Sequence, residues 1–135
     1  MYPEELVMPM KGQLTQAGFE DLTSKETVEN FLKKPGLSLL VVNSVCGCAA
    51  GAARPAVLLS LENDKKPVNL GTVFAGFDIE ATQTARENMF PFPPSSPSIG
   101  LFKDGELVHM IERHHIEGRT AEMIADNLKS AYDEN

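Results

Sequence analysis

The sequence predicts an α/β fold, a central mixed β-sheet flanked by helices on both faces, in a single domain over residues 1–135. Three observations predict it. Helical and extended patterns alternate through the early chain, which favours parallel strands covered by helices. The run Leu37 to Asn43 is almost continuously apolar and reads as a central strand buried on both faces. Late in the chain, Lys103-Asp104-Gly105-Glu106 separates two extended segments. Asp-Gly supplies the positive φ of a tight hairpin, so these strands are antiparallel and the sheet is mixed.

The elements follow in order. Glu4 to Ala17 reads as a helix with Leu6, Met10, Leu14 and Ala17 on one face. Pro9 either kinks its first turn or marks its start, and Gly18 stops it. Phe19 to Leu22 is a short strand. Thr23-Ser24-Lys25-Glu26 reads as a capping box, with Thr23 capping and Glu26 reaching back. The helix it opens buries Val28, Phe31 and Leu32 and ends at Pro35-Gly36. After the Leu37–Asn43 strand, a helix runs from Cys46 to about Leu61, and Pro55 within it either bends it or frees one carbonyl. Glu62 to Pro67 is a polar turn and Val68 to Ala75 a second long strand. Asp78 caps a helix reaching Asn88. Phe90 to Pro97 holds four prolines interleaved with two phenylalanines and reads as an ordered loop, its apolar Phe90-Pro91-Phe92 tip either a docking patch or local packing, with packing favoured. The hairpin strands are Ser98–Phe102 and Leu107–Glu112. A last helix, Thr120 to Ala131, buries Ala121, Ile124, Ala125, Leu128 and Ala131. No internal repeat is visible.

Composition narrows the function. A net charge of -7 argues against nucleic acid or an anionic membrane surface as partner, since both need clustered Lys and Arg. The longest apolar run is far too short to cross a bilayer. Met1-Tyr2-Pro3-Glu4-Glu5 is acidic, with no apolar core of the kind a signal peptide needs. The expected compartment is the cytoplasm, where two close cysteines are catalytic or metal-binding rather than a structural bridge.

Cys46 and Cys48 are the only two cysteines. They stand where a β-branched strand gives way to a small-residue helix start. Unpaired N–H groups and the helix dipole favour a thiolate there. Cys46, first and more exposed, is the expected nucleophile, and Cys48 the resolving thiol. Attack by Cys46 on a disulfide, then by Cys48 on the resulting mixed disulfide, is ordinary thiol–disulfide exchange. A Cys-X-Cys bridge closes a small ring and is expected to be strained and easily reduced. The pair therefore suits isomerisation, or removal of a small thiol from a modified protein, better than general reduction. Gly47 is the residue best able to bend between the sulfurs, and Ala49, Ala50, Gly51, Ala52 and Ala53 leave room for a partner.

Two other readings of the pair stand beside this one. The cysteines could be an accident of a strand–helix turn, although burial alone does not account for two thiols at a helix start. They could bind zinc with His109, His114 or His115, although Cys-X-Cys is a less usual zinc spacing. His114-His115 reads as a solvated corner after the last strand, because adjacent residues point in different directions. Arg54, Arg86 and Arg113 read as surface charges rather than as stabilisers of a thiolate.

Ser96-Pro97-Ser98-Ile99-Gly100-Leu101-Phe102-Lys103-Asp104-Gly105-Glu106 resembles the second half of thioredoxin. The resemblance implies a thioredoxin-like fold in which Pro97 is cis, preceded by Ser96, and both face the dithiol and line a partner groove. Val45 stands where thioredoxin has a tryptophan, and Leu40 where it has a buried carboxylate. Four further stretches resemble the bacilliredoxin family: Asn43-Ser44-Val45-Cys46-Gly47-Cys48-Ala49, Gly71-Thr72-Val73-Phe74-Ala75-Gly76, Pro94-Ser95-Ser96-Pro97-Ser98-Ile99 and Glu112-Arg113-His114-His115-Ile116-Glu117-Gly118. This resemblance covers nearly the whole chain.

What it implies is removal of bacillithiol from S-bacillithiolated proteins, with no bound cofactor and with bacillithiol as co-substrate. Cys46 takes the thiol, and Cys48 or a second bacillithiol frees it. Gly47, Ser96 and Pro97 line the substrate site. Partners are S-bacillithiolated or disulfide-bearing client proteins. Bacillithiol carries a malate carboxyl pair, which requires a basic or N–H-rich pocket, and the N–H groups of the helix start could provide it. The rival functions are a protein disulfide isomerase or general dithiol oxidoreductase, a metal-binding module built on Cys46 and Cys48, and an interaction module with an idle dithiol.

Overall fold

The computed structural model describes residues 1–135. In chain order the elements are α1 (Glu4–Thr15), β1 (Glu20–Asp21), α2 (Lys25–Leu32), β2 (Leu37–Asn43), a π-helical turn (Ala49–Ala53), α3 (Arg54–Ser60), β3 (Asn69–Phe74), α4 (Ile79–Glu87), β4 (Ser98–Lys103), β5 (Glu106–Ile111), α5 (Arg113–Ile116) and α6 (Ala121–Glu134). The five strands form one sheet in the order β1-β3-β2-β4-β5. β1, β3 and β2 run parallel, while β4 is antiparallel to both β2 and β5. The mixed sheet expected from the late hairpin is present, and Asp104 and Gly105 both take positive φ at its turn.

β2 is central, and every one of its residues is buried. Successive strand side chains face opposite sides. Leu39 and Val41 therefore join one core, with Val57 of α3 and Ile124 and Leu128 of α6. Leu40 and Val42 join the other, with Val28 and Phe31 of α2 and Ala81 and Ala85 of α4. Burial on both faces explains why β2 carries no polar alternation.

Several local expectations need correcting. The buried face of α1 is Val7, Lys11 and Leu14: of the expected residues Leu14 is buried, whereas Leu6 and Ala17 are exposed and Met10 is half-buried. Lys11 can be buried because its ammonium lies 3.0 Å from Asp21 and 2.8 Å from Asp78. Burial works against its charge, but hydrogen bonds to Asp78 and Asp21 outweigh it and raise its pKa. Apolar periodicity cannot register a lysine on the inner face. The capping box opens one residue later than expected: the Thr27 N–H donates to Ser24 Oγ, and the Ser24 N–H donates to Thr27 Oγ1. Asp78 stands at the N-cap of α4, but its carboxylate is turned to Lys11 and to the Phe74 N–H instead of capping. The helix after the cysteines is widened rather than simply bent at Pro55. Proline brings no N–H and crowds the carbonyl four residues earlier. One turn ahead of it the ladder opens, and the Arg54 N–H reaches back five residues to the Ala49 carbonyl.

α6 runs three residues beyond its expected end and buries Tyr132. The Tyr132 hydroxyl shares a hydrogen bond of 2.8 Å with Ser60 Oγ. Burial pushes its pKa up to about 12, although the Ser60 contact pulls the other way. An unfolded tyrosine ionises near about 10. Between those values the unfolded chain gives up a proton that the folded chain keeps. The contribution is therefore complete below about pH 10 and is lost as pH rises toward about 12. We expect stability to fall by about 2 kcal/mol across that window, and Tyr132→Phe to flatten the fall in denaturant titrations at about pH 9 and about pH 11.

Candidate active site

The strand-to-helix passage is held from below. Beyond Asn43, the Ser44 N–H donates to Asn43 Oδ1 at 2.9 Å, and the Cys46 N–H donates to Ser44 Oγ at 3.1 Å. Arg54 lies beneath this turn, 1% exposed. Its Nη1 donates to Asn43 Oδ1 and to the Ser44 carbonyl, both at 2.9 Å, and its Nε donates to Gln13 Oε1 at 2.7 Å. Arg54 is therefore a buried brace, not a surface charge. Burial holds its pKa below the usual arginine range.

Above the brace the Cys46 carbonyl accepts from the N–H groups of Ala49 and Ala50, which starts the helix. The two cysteines are free thiols with sulfurs 2.7 Å apart. The Cys46 thiol is held below its ordinary value. The hydrogen bond from the Cys48 thiol is the chief cause, backbone N–H donation from Cys48 and Ala49 and the charge of Arg113 assist, and burial opposes. Cys48 packs against the core on the α3–α6 side. Burial first, then the hydrogen bond and charge of Cys46, push its pKa up. One thiol is thus prepared to attack and the other to hold its proton until the first has reacted.

Gly47 takes no positive φ, and a Cβ built there meets nothing within 4 Å. A side chain there would meet open space, and Gly47 itself is exposed beside the two sulfurs. Ala50 and Gly51 are exposed nearby, whereas Ala49, Ala52 and Ala53 are buried and belong to the packing.

The peptide Ser96-Pro97 is cis, as is Phe90-Pro91. Ser96 lines a groove of about 420 Å³ with Cys46, Val45, Tyr2, Arg86 and Arg113. Pro97 is buried and does not itself line that groove. The wall opposite the dithiol is therefore Ser96, with Pro97 shaping the chain behind it. Arg113 ties this wall to α5. Its N–H donates to Ser95 Oγ, its Nη1 to the Ser96 carbonyl and its Nε to Glu117 at 2.7 Å. The hydrogen bond to Glu117, then the cysteines, raise its own pKa. Arg113→Gln should therefore move the Cys46 thiol back up toward its ordinary value and slow its alkylation at neutral pH, as followed by mass spectrometry over a pH series.

The histidines do not join the cysteines. His109 shares a hydrogen bond of 2.7 Å with Asn127. His114 and His115 form α5, and His115 Nδ1 accepts from the Glu112 N–H. The one grouping with metal-ligand spacing is Glu112, His114 and His115, without either sulfur. The four-ligand zinc set of Cys46, Cys48 and histidines is not assembled. The sequence reading also missed Arg86 and Arg113 as groove residues. Both are distant from the cysteines along the chain, and spacing alone holds no signal for either. Phe90 is 81% exposed rather than packed, and with Phe92 it borders a second hollow of about 580 Å³ beside the groove.

The fold has clear precedents. The chain resembles oxidised mitochondrial thioredoxin 3 of Saccharomyces cerevisiae at 17% identity and TM-score 0.58, covering 91% of this chain and 99% of that one. Oxidised thioredoxin of Plasmodium falciparum matches at 14% identity and TM-score 0.58, covering 87% and 97%. These likenesses show a fold of the thioredoxin-like class, here with a free dithiol between the central strand and the following helix. The family profile described as "Disulphide isomerase" matches residues 2–135. A protein of Cytophaga hutchinsonii named Bacilliredoxin is 65% identical over 99% of each chain, and one of Halalkalibacterium halodurans is 50% identical over 99% of this chain and 94% of its own. The chain belongs to the bacilliredoxin family.

Proposed function

We propose that this protein removes bacillithiol from S-bacillithiolated proteins through its Cys-Gly-Cys pair. The observation that carries the reading is the unequal dithiol, with Cys46 held low and opening on the groove and Cys48 pushed up against the core. The Cys46 thiolate attacks the bacillithiol sulfur of the mixed disulfide. A Cys46–bacillithiol bond forms, and the client leaves as its thiolate and takes a proton from water. Two routes then free Cys46. In the first, Cys48 gives up its proton and attacks Cys46 Sγ, which forms the Cys46–Cys48 disulfide and expels bacillithiol. In the second, a further bacillithiol thiolate attacks the bound one, and bacillithiol disulfide departs with Cys46 restored. Bacillithiol is thus a co-substrate, and no bound cofactor enters either route. The cytoplasm, where thiols are kept reduced, is the compartment this cycle requires.

The test is release of bacillithiol from a modified client, followed by mass spectrometry beside the same client carrying glutathione. Wild type is expected to release bacillithiol and Cys46→Ser to release none. Equal rates for the two proteins would end this reading. Reshuffling of a scrambled protein disulfide without bacillithiol release would instead favour a disulfide isomerase, the activity named in the description of the matching family profile.

A further inference from the structure

We propose that Arg86 is an anion-binding residue of the reactive groove, and that the small thiol accepted by Cys46 carries a carboxylate which Arg86 holds. The inference rests on the reading of Cys46 as the acceptor of a low-molecular-weight thiol, and adds what selects that thiol.

Arg86 belongs to the last turn of α4. Its Nε is buried and has no hydrogen-bond partner. It takes part in none of the chain's ion pairs. Shortage of acids is not the reason, since the chain has 19 Asp and Glu against 12 Lys and Arg. The buried Lys11 and Arg54 are answered, and so is the exposed Arg113 of the same groove. Lys11 has two carboxylates, Arg54 three acceptors and Arg113 the carboxylate of Glu117. An orphaned buried donor is costly, and in a native structure it calls for an explanation.

Nε itself is closed to a ligand in the groove, so the position concerns the rest of this unpaired side chain. Arg86 lines the Cys46 groove and also the larger hollow beside it that Phe90 and Phe92 border. It is thus common to the lining of the hollow that Cys46 opens on and of the one beside it. Glu87 lines that hollow too, but makes no ion pair with Arg86. Arg113 lines the same groove but is already paired with Glu117, whereas Arg86 makes no ion pair. A guanidinium offers a planar fork of donors that matches a carboxylate. The chain's net charge of -7 otherwise disfavours an anionic thiol, so a free arginine at this point discriminates strongly.

The test uses full-length Cys48→Ser protein, in which Cys46 exchanges without being resolved. It is equilibrated with bacillithiol disulfide or with uncharged 2-hydroxyethyl disulfide, and Cys46 modification is read by intact mass spectrometry. Each exchange forms one Cys46 mixed disulfide and releases one small thiol, so the two equilibrium constants compare directly. The expected ratio favours bacillithiol by roughly tenfold or more. Arg86→Gln should bring it near unity, and Arg86→Lys should keep part of it. Bacillithiol with its carboxyls esterified should lose the same factor against unmodified Arg86, a measurement that needs no Arg86 variant. An unchanged ratio in Arg86→Gln, or full retention with the ester, would overturn the assignment while leaving the proposed function intact. Failure of Cys46 to take up either thiol would overturn both.

Discussion

With no free bacillithiol present, Cys48→Ser is expected to stop the cycle halfway, with the incoming thiol left on Cys46 as a persistent mixed disulfide visible by mass. Added bacillithiol should clear it by the second route. Cys46→Ser should carry no adduct and should lose client release by about a thousandfold or more, because it removes the nucleophile itself. The asymmetry comes from the geometry. Cys46 receives N–H donation from the helix start and the field of Arg113, whereas Cys48 is packed against the core. The two serine variants would behave alike only if the thiols were interchangeable. In that event the burial of Cys48 and the donors around Cys46 would have no bearing on the chemistry.

Arg54→Met is expected to cost about 2–4 kcal/mol of stability and to disturb the cysteine turn. Two effects compete. Losing the buried charge relieves a desolvation cost, which is visible in the lowered pKa of Arg54. Against that, the Ser44 carbonyl and Gln13 Oε1 lose their charged donor, and Asn43 Oδ1 keeps only the Ser44 N–H. Removing one side of a buried hydrogen-bonded set leaves the other side unsatisfied, so the second effect wins. Arg54→Lys keeps the charge but not the fork, and should recover only part of the loss. Urea unfolding of the reduced protein measures the energy. A loss below about 1 kcal/mol would mean that the turn does not depend on the brace.

Much of the architecture was legible because it rests on local rules. The nearly continuous apolar run of β2 announced burial on both faces, Asp104-Gly105 announced the hairpin, and Gly18 the end of α1. The dithiol was legible for the same reason, since strand, cysteines and helix start are contiguous. The departures came where the deciding contact is distant along the chain. Lys11 is buried because Asp21 and Asp78 meet it, and Asp78 leaves its capping role to do so. Arg54 reads as a surface charge until Gln13, Asn43 and Ser44 converge on it. The four residues of α5 are too few for any periodicity, yet they place Arg113 where its charge reaches both sulfurs.

The central claim is the inequality of the two thiols. Its most direct measurement is residue-resolved alkylation of the fully reduced wild-type protein across a pH series, with each cysteine quantified by peptide mass. The account predicts that Cys46 becomes reactive below the pH at which a free cysteine does, near about 8.5, and that Cys48 follows only well above it. Cys48 reacting first, or both thiols reacting together at the pH of free cysteine, would contradict it.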